Sequence, residues 1–465
     1  MIMNKITVDL SKKVGKIKPL HCVNNGPACN SLTAKENSNF YLYKELGIPY
    51  ARNHDASFYP RYGLEHTVDV VAIFPNFDAD PNDPANYDFT CTDDYIKTTE
   101  EAGTHHFYRL GHRIEHEVKK YGTLPPKDFK KWAVICEHII RHYTAGWADG
   151  FYDEMPYWEI WNEPNLDRDD AENKRCWGGT AAEFYEFFRI ALEHLKTTFP
   201  HLKIGGPALA SGVGGIGKSP ALIERKEKWG RGFFESLGEI KPDFISWHVY
   251  FSKIEMMLDF ADRVHSMMEE YGLGDKESIL NEWNYVKDSC WSPEWAEYAG
   301  EVRRGPGPKC SSYTAAAMLA AQHSSIDMLM LYDARPTGWC SLFKPYNDTK
   351  PLKTYYSLWG FNKLYRAENE VEASVEGEDI YALAASDDTT SWVMLTHYND
   401  EDSTEGKSVT VELDNIDGEV KFELYVLDEN RDMELIREDE FKSESFKTTL
   451  SLPLYTSYLI KIEKL

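Results

Sequence analysis

The pattern that sets the architecture is clearest in residues 157–165, which read YWEIWNEPN. The run from Tyr157 to Trp161 is short and mostly apolar, which is typical of a buried strand. Pro164 follows three residues later, and a proline ends a strand because it has no N–H to donate to the ladder. A longer segment, Ala181–Thr198, then carries apolar residues at the 3.6-residue spacing of a helix. Together they predict a strand followed by a helix.

The same alternation recurs from about residue 17 to residue 360. The other predicted strands are Lys18–Val23, Tyr50–Asn53, Thr104–Leu110, Lys203–Pro207, Phe244–Val249, Ser278–Asn281 and Met328–Tyr332. Helical patterns lie between them, for example Pro126–Tyr143, Ile254–Tyr271 and Tyr313–Ser325. Strands that each precede a helix predict the α/β class, here a (β/α)₈ TIM barrel assigned to residues 16–365.

The last hundred residues show a different pattern of apolar and polar residues. Ser408–Leu413, Val420–Leu427 and Ser457–Ile462 alternate apolar and polar side chains, and turn sequences separate them. This pattern predicts a C-terminal antiparallel β-sandwich. Because Lys5–Leu10 alternates in the same way outside the barrel, we expect it to pair into that sandwich. The accessory domain is therefore predicted to be discontinuous, with residues 1–15 joined to residues 366–465.

The chain of 465 residues is acidic, with a formal net charge of −25. A nucleic-acid partner needs a cationic surface, and so does docking on an anionic membrane, so neither partner is expected. The charge is uneven, because residues 367–465 hold 26 acidic and 8 basic side chains. The predicted barrel is therefore close to neutral, which favours an uncharged ligand such as a sugar.

Three further features of the sequence indicate the cellular compartment. The N-terminal segment has no apolar run of signal-peptide length, and no stretch is long and apolar enough to span a bilayer. The eight cysteines show no CxxC spacing, which favours reduced thiols over a disulfide framework. A cytoplasmic protein is expected.

Two glutamates stand where catalysis is expected in such a barrel. Glu163 follows the fourth predicted strand, and Glu282 follows the seventh, within the sequence SILNEWN of residues 278–284. Active sites of these barrels lie at the carboxyl ends of the strands. Retaining glycoside hydrolysis needs two carboxyl groups about 5–5.5 Å apart, a spacing that strands 4 and 7 can supply. An aromatic-lined pocket should raise the pKa of Glu163, which suits a general acid.

These motifs resemble clan A glycoside hydrolases, and most closely glycoside hydrolase family 39, the β-xylosidase and α-L-iduronidase family, or a near relative. The resemblance covers roughly residues 18–345 and includes VNNGP at 23–27, ARNH at 51–54, WNEPN at 161–165, IGGP at 204–207 and ISWHVY at 245–250. It implies that Glu163 is the acid/base and Glu282 the nucleophile, and that Asn162 binds the sugar 2-hydroxyl. His54 and His248 would donate hydrogen bonds in the pocket. The mechanism requires neither a metal nor an organic cofactor.

The predicted activity is that of a retaining exo-glycoside hydrolase acting on small oligosaccharides or glycosides. β-Xylosides are the first expectation, with arabinosides, glucosides, galactosides, mannosides and uronides left open. Further candidates for binding the sugar are Tyr250 through its hydroxyl, Asp333 after the last predicted strand, and the rings of Trp247, Trp283 and Trp339. Arg335 could pair with Asp333 or meet a substrate carboxylate. A homo-oligomer is compatible with the sequence.

Three other interpretations stay open at this point. His112, Glu115 and His116 match the H-x-x-E-H string of some zinc metallopeptidases, with Glu137 or His138 as further ligands. Residues 212–219 match a phosphate-loop string but follow Pro207 and several small residues rather than a strand directly. A degenerate barrel that binds carbohydrate without cleaving it is the third.

Overall fold

Eight parallel strands form a closed barrel in this computed structural model, which describes residues 4–28, 38–55, 66–212, 220–287, 307–336, 342–344 and 349–465. The strands are β2 (Cys22–Asn24), β3 (Tyr50–Arg52), β4 (His105–Leu110), β5 (Tyr157–Ile160), β6 (Lys203–Ala210), β7 (Phe244–His248), β8 (Glu277–Trp283) and β9 (Met328–Leu331). The barrel closes where β9 pairs in parallel with β2. The TIM-barrel prediction is confirmed.

Helices follow the strands around the outside. They are α1 (Phe40–Glu45), α2 (Val70–Ile73), α3 (Thr90–Glu101), α4 (Phe129–Ala145), α5 (Ala181–Thr198), α6 (Pro220–Ser236), α7 (Ile254–Glu270), α8 (Pro308–Ala321) and α9 (Lys353–Ala367). Local caps set their ends: the Asp128 side chain accepts from Lys131 N, and Gly146 adopts a left-handed conformation with φ of 69°. These two residues start and stop α4 three and two residues later than the predicted 126–143. Among the described residues, no helix is both long and apolar enough to cross a membrane.

The inside of the barrel is layered. The lower layer is apolar and contains Cys22, Phe107, Tyr157, Phe244, Ile279, Met328 and Met330. Nearer the carboxyl ends of the strands the interior becomes polar, with Arg52, Glu159 and Asn281 fully buried. Buried charges of this kind are stable only when they are paired, so we expect these side chains to bind one another. Their position below the carboxyl ends of the strands lets them support a site above them.

The second body is a sheet of nine strands. These are β1 (Asn4–Lys16), β10 (Asn369–Glu376), β11 (Ile380–Ser386), β12 (Thr390–His397), β13 (Lys407–Asp414), β14 (Glu419–Leu427), β15 (Asp432–Lys442), β16 (Ser445–Leu452) and β17 (Ser457–Lys464). Their order is β15-β14-β17-β12-β11-β10-β1-β13-β16. The sheet folds over a shared apolar core that includes Ile6, Val8, Val411 and Phe422.

One neighbouring pair departs from the antiparallel pattern. β1 is antiparallel to β10 but parallel to β13, so the sandwich-like sheet is mixed. No hairpin joins β1 to β13, because β1 comes from the other end of the chain. Turn geometry therefore does not fix the relative direction of these two strands, which is why alternation alone could not reveal it.

Candidate active site

The two predicted glutamates face each other at the carboxyl-terminal mouth of the barrel. Glu163 lies just beyond the end of β5, where its N–H donates to Ala208 O at 3.0 Å. Its φ of 48° is in the left-handed region, a strained conformation that turns the side chain into the mouth. Glu282 lies on β8. Carboxylate oxygens of Glu163 and Glu282 and a ring nitrogen of His248 all lie within 4.8 Å of one another.

Arg52, at the end of β3, connects the groups around this pair. Its guanidinium donates to Glu282 Oε1 at 3.2 Å, to Asn162 Oδ1 at 2.7 Å and to Asn24 Oδ1 at 3.0 Å. It is fully buried, and the carboxylates of Glu159 and Glu282 raise its pKa against the effect of burial. Arg52 thus holds the positive charge that keeps the Glu282 carboxylate in place.

Below Arg52, the Glu159 carboxylate is the centre of the polar layer. It accepts from Arg52 Nε at 2.7 Å, from Ser246 Oγ at 2.5 Å and from Asn281 Nδ2 at 2.6 Å. These partners come from three different strands, β3, β7 and β8. Because Glu159 is fully buried, these bonds replace the water it would otherwise require. The Glu159 carboxylate, held by these bonds, in turn fixes the position of the Arg52 guanidinium.

His248 and Tyr250 lie against the carboxyl pair. His248 Nδ1 is 2.9 Å from Glu163 Oε1 and 3.3 Å from Glu282 Oε2. Burial lowers the pKa of His248 to about 4, so its ring is neutral at neutral pH. The Tyr250 hydroxyl donates to Glu282 Oε2 at 3.0 Å. Glu282 therefore accepts on both oxygens, which orients it as a fixed carboxylate.

The environment of the two glutamates differs. Burial raises the pKa of Glu163, and the charges of Lys226, His54 and Arg52 oppose that rise. A carboxyl group with a raised pKa can keep its proton at neutral pH, while a carboxylate hydrogen-bonded to an arginine is suited to nucleophilic attack. The arrangement can therefore donate a proton from one side and attack from the other.

Asn162 and His54 lie beside the carboxyl pair. Asn162 Oδ1 is engaged by Arg52, while its Nδ2 donates to no described residue, so this N–H₂ group can meet a hydroxyl. His54 Nε2 is 3.9 Å from Glu282 Oε1. Its Nδ1 is 3.0 Å from Asp55 Oδ2, which fixes the orientation of the ring.

Asp333 and Arg335 extend this cluster on the side of β9. Arg335 pairs with Asp333 Oδ2 at 2.7 Å and with Asp55 Oδ2 at 3.1 Å. Asn25 Nδ2 also donates to Asp333 Oδ2, at 3.0 Å. Of the two roles open for Arg335, the structure shows the pairing with Asp333. Asp333 is fully buried, and its carboxylate holds the Arg335 guanidinium through this ion pair.

The tryptophans divide into three cases. Trp247 is a core residue: its ring packs against Phe260 and its Nε1 donates to Ser278 Oγ at 3.1 Å, so it offers no surface for stacking. Trp283 is enclosed, with its ring against Tyr313, and its stacking role stays a prediction. Trp339 lies outside the described residues, as does most of the 212–219 loop.

The zinc-peptidase interpretation fails on geometry. Residues 112–116 are not helical, so the string does not put His112 and His116 on one face, and His116 is exposed. Glu115 instead accepts from Tyr121 N at 2.9 Å and from Thr123 Oγ1 at 2.6 Å, which orders the following loop.

The proposed additional ligands do not rescue the zinc site. The nearby Glu137 is paired with Arg141 and His194, both at 2.7 Å. Over the described ranges, only Glu163, His248 and Glu282 bring three such groups together.

Arg52 and Glu159 are the functional-site residues whose roles the sequence did not assign. A signal exists in hindsight, since each is a charged residue inside an otherwise apolar strand, and their charges are opposite. Such residues are rarely fully buried without a partner. The partner could not be read from the sequence, because Arg52 and Glu159 are 107 positions apart.

Comparison with known proteins agrees with this geometry. A curated β-xylosidase of Geobacillus stearothermophilus is 26% identical over 281 residues, which are 57% of this chain and 48% of that protein. The chain thus spans about half the length of this curated relative.

Solved structures resemble the whole molecule. A glucosidase from Croceicoccus marinus superposes with a TM-score of 0.80 at 19% identity, covering 100% of this chain and 99% of that one. A monomeric β-xylosidase from Caulobacter crescentus gives a TM-score of 0.68 at 16% identity, covering 99% of each chain. At these identities the likeness establishes the fold. The model of the family described as "Glycosyl hydrolases family 39" matches residues 4–306, more than half of the chain, and the protein therefore belongs to glycosyl hydrolases family 39.

Proposed function

We propose that this protein is a retaining exo-glycoside hydrolase in which Glu282 is the nucleophile and Glu163 the acid/base. The observation that carries the proposal is the close approach of the two carboxyl groups, with oxygens within 4.8 Å. Inverting enzymes separate their carboxyl groups by roughly 6.5–9.5 Å to leave room for a water molecule. The short separation supports direct attack on the sugar.

The proposed reaction has two displacements. Glu282 attacks the anomeric carbon and forms a glycosyl-enzyme ester while Glu163 donates its proton to the departing oxygen. Glu163, now a carboxylate, removes a proton from water, and the resulting hydroxide releases the sugar from Glu282. The anomeric configuration is inverted twice and therefore retained.

Residues around the pair would bind and hold the sugar. Asn162 Nδ2 is proposed to donate to the 2-hydroxyl, and His54, His248 and Tyr250 to surround the same ring. Asp333 would act indirectly, by holding Arg335 beside Asp55. The ring of Trp283 and that of Trp339 are proposed as apolar surfaces for the sugar.

β-Xylosides are the substrates we propose first. The curated relative and one structural neighbour are described as β-xylosidases, whereas another neighbour is described as a glucosidase. Arabinosides, glucosides, galactosides, mannosides and uronides are the alternatives, because a single hydroxymethyl or carboxylate group distinguishes them.

The test is a panel of aryl glycosides with proton NMR of the first product formed. We expect hydrolysis of the β-xyloside with the β-anomer appearing first. Initial release of the α-anomer would contradict the nucleophile role of Glu282.

Matched variants identify the carboxyl groups. Glu282→Gln should abolish turnover, whereas Glu277→Gln, on the same strand but at the opposite end beside Lys203, should leave turnover intact. Glu163→Gln should spare substrates with very good leaving groups in the first step and slow the second. Azide should then restore turnover by forming a glycosyl azide, since it needs no general base.

Two further proposals concern organisation. The accessory sandwich is proposed to comprise residues 1–15 with 366–465 around a barrel of residues 16–365, which is supported by the end of β1 at Lys16 and of α9 at Ala367. Limited proteolysis should cut near these positions.

A cytoplasmic location is supported by the free thiols of Cys22, Cys91, Cys136 and Cys176, and cell fractionation tests it.

A further inference from the structure

A buried lysine lies next to the candidate acid/base and has no part in the mechanism described so far. Lys226 is on α6 and only 3% exposed. Its ammonium group donates to Asn165 O at 2.7 Å and to Ala210 O at 3.0 Å. Both partners are uncharged carbonyl groups. Burying an ammonium group without a hydrogen-bonded carboxylate costs free energy of folding. The presence of a lysine at this position therefore needs an explanation.

The two carbonyls that Lys226 binds belong to the segments that hold Glu163. Asn165 is two residues after Glu163, and Ala210 ends β6, whose Ala208 O accepts the Glu163 N–H. Asn165 closes the same contact from its own side, since its Oδ1 accepts from Ala210 N at 2.8 Å and its Nδ2 donates to Ala210 O at 3.1 Å. The Glu163 loop is therefore tied to the end of β6 at three points.

We propose that Lys226 is a positioning residue for Glu163, because its ammonium group ties the Glu163 loop to β6 and places a buried positive charge close to the Glu163 carboxyl group. This inference rests on the proposed function, in which Glu163 must act first as an acid and then as a base.

The charge has a specific consequence for those two roles. Burial alone raises the pKa of Glu163, and Lys226 is the largest of the charges that oppose this rise. A carboxyl group with a pKa raised too far would keep its proton and could not activate water in the second step. The charge of Lys226 offsets the effect of burial on the pKa of Glu163. It thereby keeps that pKa low enough for Glu163 to act as a base in the second step.

Other charged and titratable groups share this environment. Around Lys226, burial and Arg225 lower its pKa to about 7, so the side chain carries its positive charge below that pH, while Glu163, Asp167 and Cys176 oppose the lowering. Around Glu163, the facing groups come from five elements and the loops that follow them: Arg52, His54, Arg175, Lys226, His248 and Glu282. Arg175 is already bound by Asp167 at 2.6 Å. Lys226 is thus a buried cation here whose hydrogen bonds go to carbonyls alone.

The chain offers a matched control. Lys18 also donates to two carbonyls, Ser324 O and Ile326 O, both at 2.8 Å, and burial also lowers its pKa. It lies just before β2 and beside the segment that leads into β9, at the opposite end of the barrel from Glu163. Lys18→Met therefore removes the same kinds of interaction without touching the candidate site.

The experiment measures the Glu163 ionisation directly and through activity. In protein labelled with ¹³C at glutamate carboxyl groups, the Glu163 titration is the one that Glu163→Gln removes. In the Lys226→Met variant we expect the pKa of Glu163 to rise by about 1 unit or more. The high-pH limb of kcat/KM on the best aryl glycoside should move upward by the same amount. Lys226→Arg should move both back toward the parent, and Lys18→Met should move neither.

Two results would overturn the inference. One is a Glu163 titration in Lys226→Met that coincides with that of the parent, whatever happens to kcat. The other is an equal shift in Lys18→Met, which would mean that general destabilisation causes it. Failure of the proposed function is a separate outcome, in which the parent cleaves no glycoside of the panel while the NMR titration still reports on Lys226.

Discussion

At the scale of single residues, Arg52 has the most partners among the groups of the site. One fully buried guanidinium serves Glu159, Glu282 and Asn162 at once. Replacing it by methionine would leave two buried carboxylates without their cation. We expect Arg52→Met to lower the free energy of unfolding by about 3–5 kcal/mol and kcat/KM by at least about a hundredfold. Urea unfolding and steady-state kinetics check the two effects.

Arg52→Lys is the control for this prediction. It keeps the positive charge but cannot reach three acceptors in different directions, because an ammonium lacks the planar fork of a guanidinium. It should recover part of the stability and little of the activity. An Arg52→Met protein with unchanged kcat/KM would mean that Arg52 supports the fold alone.

His248 gives a prediction for stability against pH. Its pKa is lowered to about 4 in the folded chain, below the unfolded value of about 6.5. The unfolded chain therefore binds a proton first, and the stability contributed by His248 is lost as pH falls from about 6.5 toward 4. Above pH 6.5 the contribution is constant.

The measurement compares the parent with His248→Asn. His21 and His106 are shifted in the same direction, so the parent alone does not isolate His248. Urea unfolding at several pH values should give a shallower decline between pH 6.5 and 4 for the variant. Parallel curves for the two proteins would refute the assignment.

Residue positions were predictable where one strand alone determines them. Glu163 and Glu282 follow from an apolar run that ends in a carboxyl residue, a local pattern. Arg52 and Glu159 depend on each other and on β7 and β8, so their roles appear only once the barrel is closed. The wrong assignment of Trp247 has the same origin, because adjacent residues of a strand face opposite sides and the sequence did not say which side is the pocket.

At the scale of elements, α5 shows how a cap secures the loop of the acid/base. Thr180 Oγ1 accepts from Glu183 N and Glu183 Oε2 accepts from Thr180 N, a reciprocal capping box. We expect Thr180→Ala to lower the free energy of unfolding by about 1 kcal/mol. Thermal or urea unfolding measures it.

The opposite end of the same helix supplies the control. Thr198 Oγ1 donates to His194 O one turn earlier, a bond that does not cap free N–H groups. Thr198→Ala should therefore change stability by less than about 0.5 kcal/mol. Equal losses in the two variants would show that the capping box contributes nothing of its own.

The end of β6 shows why element boundaries are harder to predict than their order. The sequence predicts that the strand ends at Pro207, yet β6 continues to Ala210. A register shift between Gly206 and Leu209 absorbs the proline, and pairing with β7 resumes at Leu209. This irregular segment includes Ala208, whose carbonyl holds Glu163. The rule that a proline ends a strand therefore fails in a segment that positions a residue of the candidate site.

At the scale of the whole molecule, the accessory sheet contacts loops that carry the candidate site. The Tyr398 hydroxyl donates to Ser252 O, two residues beyond Tyr250. The Asp400 carboxylate accepts from the Tyr285 hydroxyl at 2.8 Å, three residues beyond Glu282. The segments directly after β7 and β8 are thus bonded to the accessory domain at Ser252 and Tyr285. Helices α8 and α9 lie between barrel and sheet, against β11 and β12.

The sequence located this appendage by its alternation and its concentrated acidic charge, but it could not predict these contacts. They join residues more than a hundred positions apart through single hydroxyl groups. Patterns of polarity report which face of a strand is buried and say little about individual long-range hydrogen bonds.

A pair of tyrosines tests whether the sheet supports catalysis or only stability. Tyr398 bonds across to the barrel, whereas the Tyr458 hydroxyl donates to Ser451 O within the sheet, at 2.8 Å. Each Tyr→Phe change removes one hydroxyl bond to a carbonyl, so both should cost about 1 kcal/mol of unfolding free energy. Only Tyr398→Phe should also lower kcat, because it releases the loop that positions Tyr250 against Glu282. Equal kcat values in the two variants would restrict the sheet to a structural role, and a decrease confined to Tyr398→Phe would make it part of the support of the site.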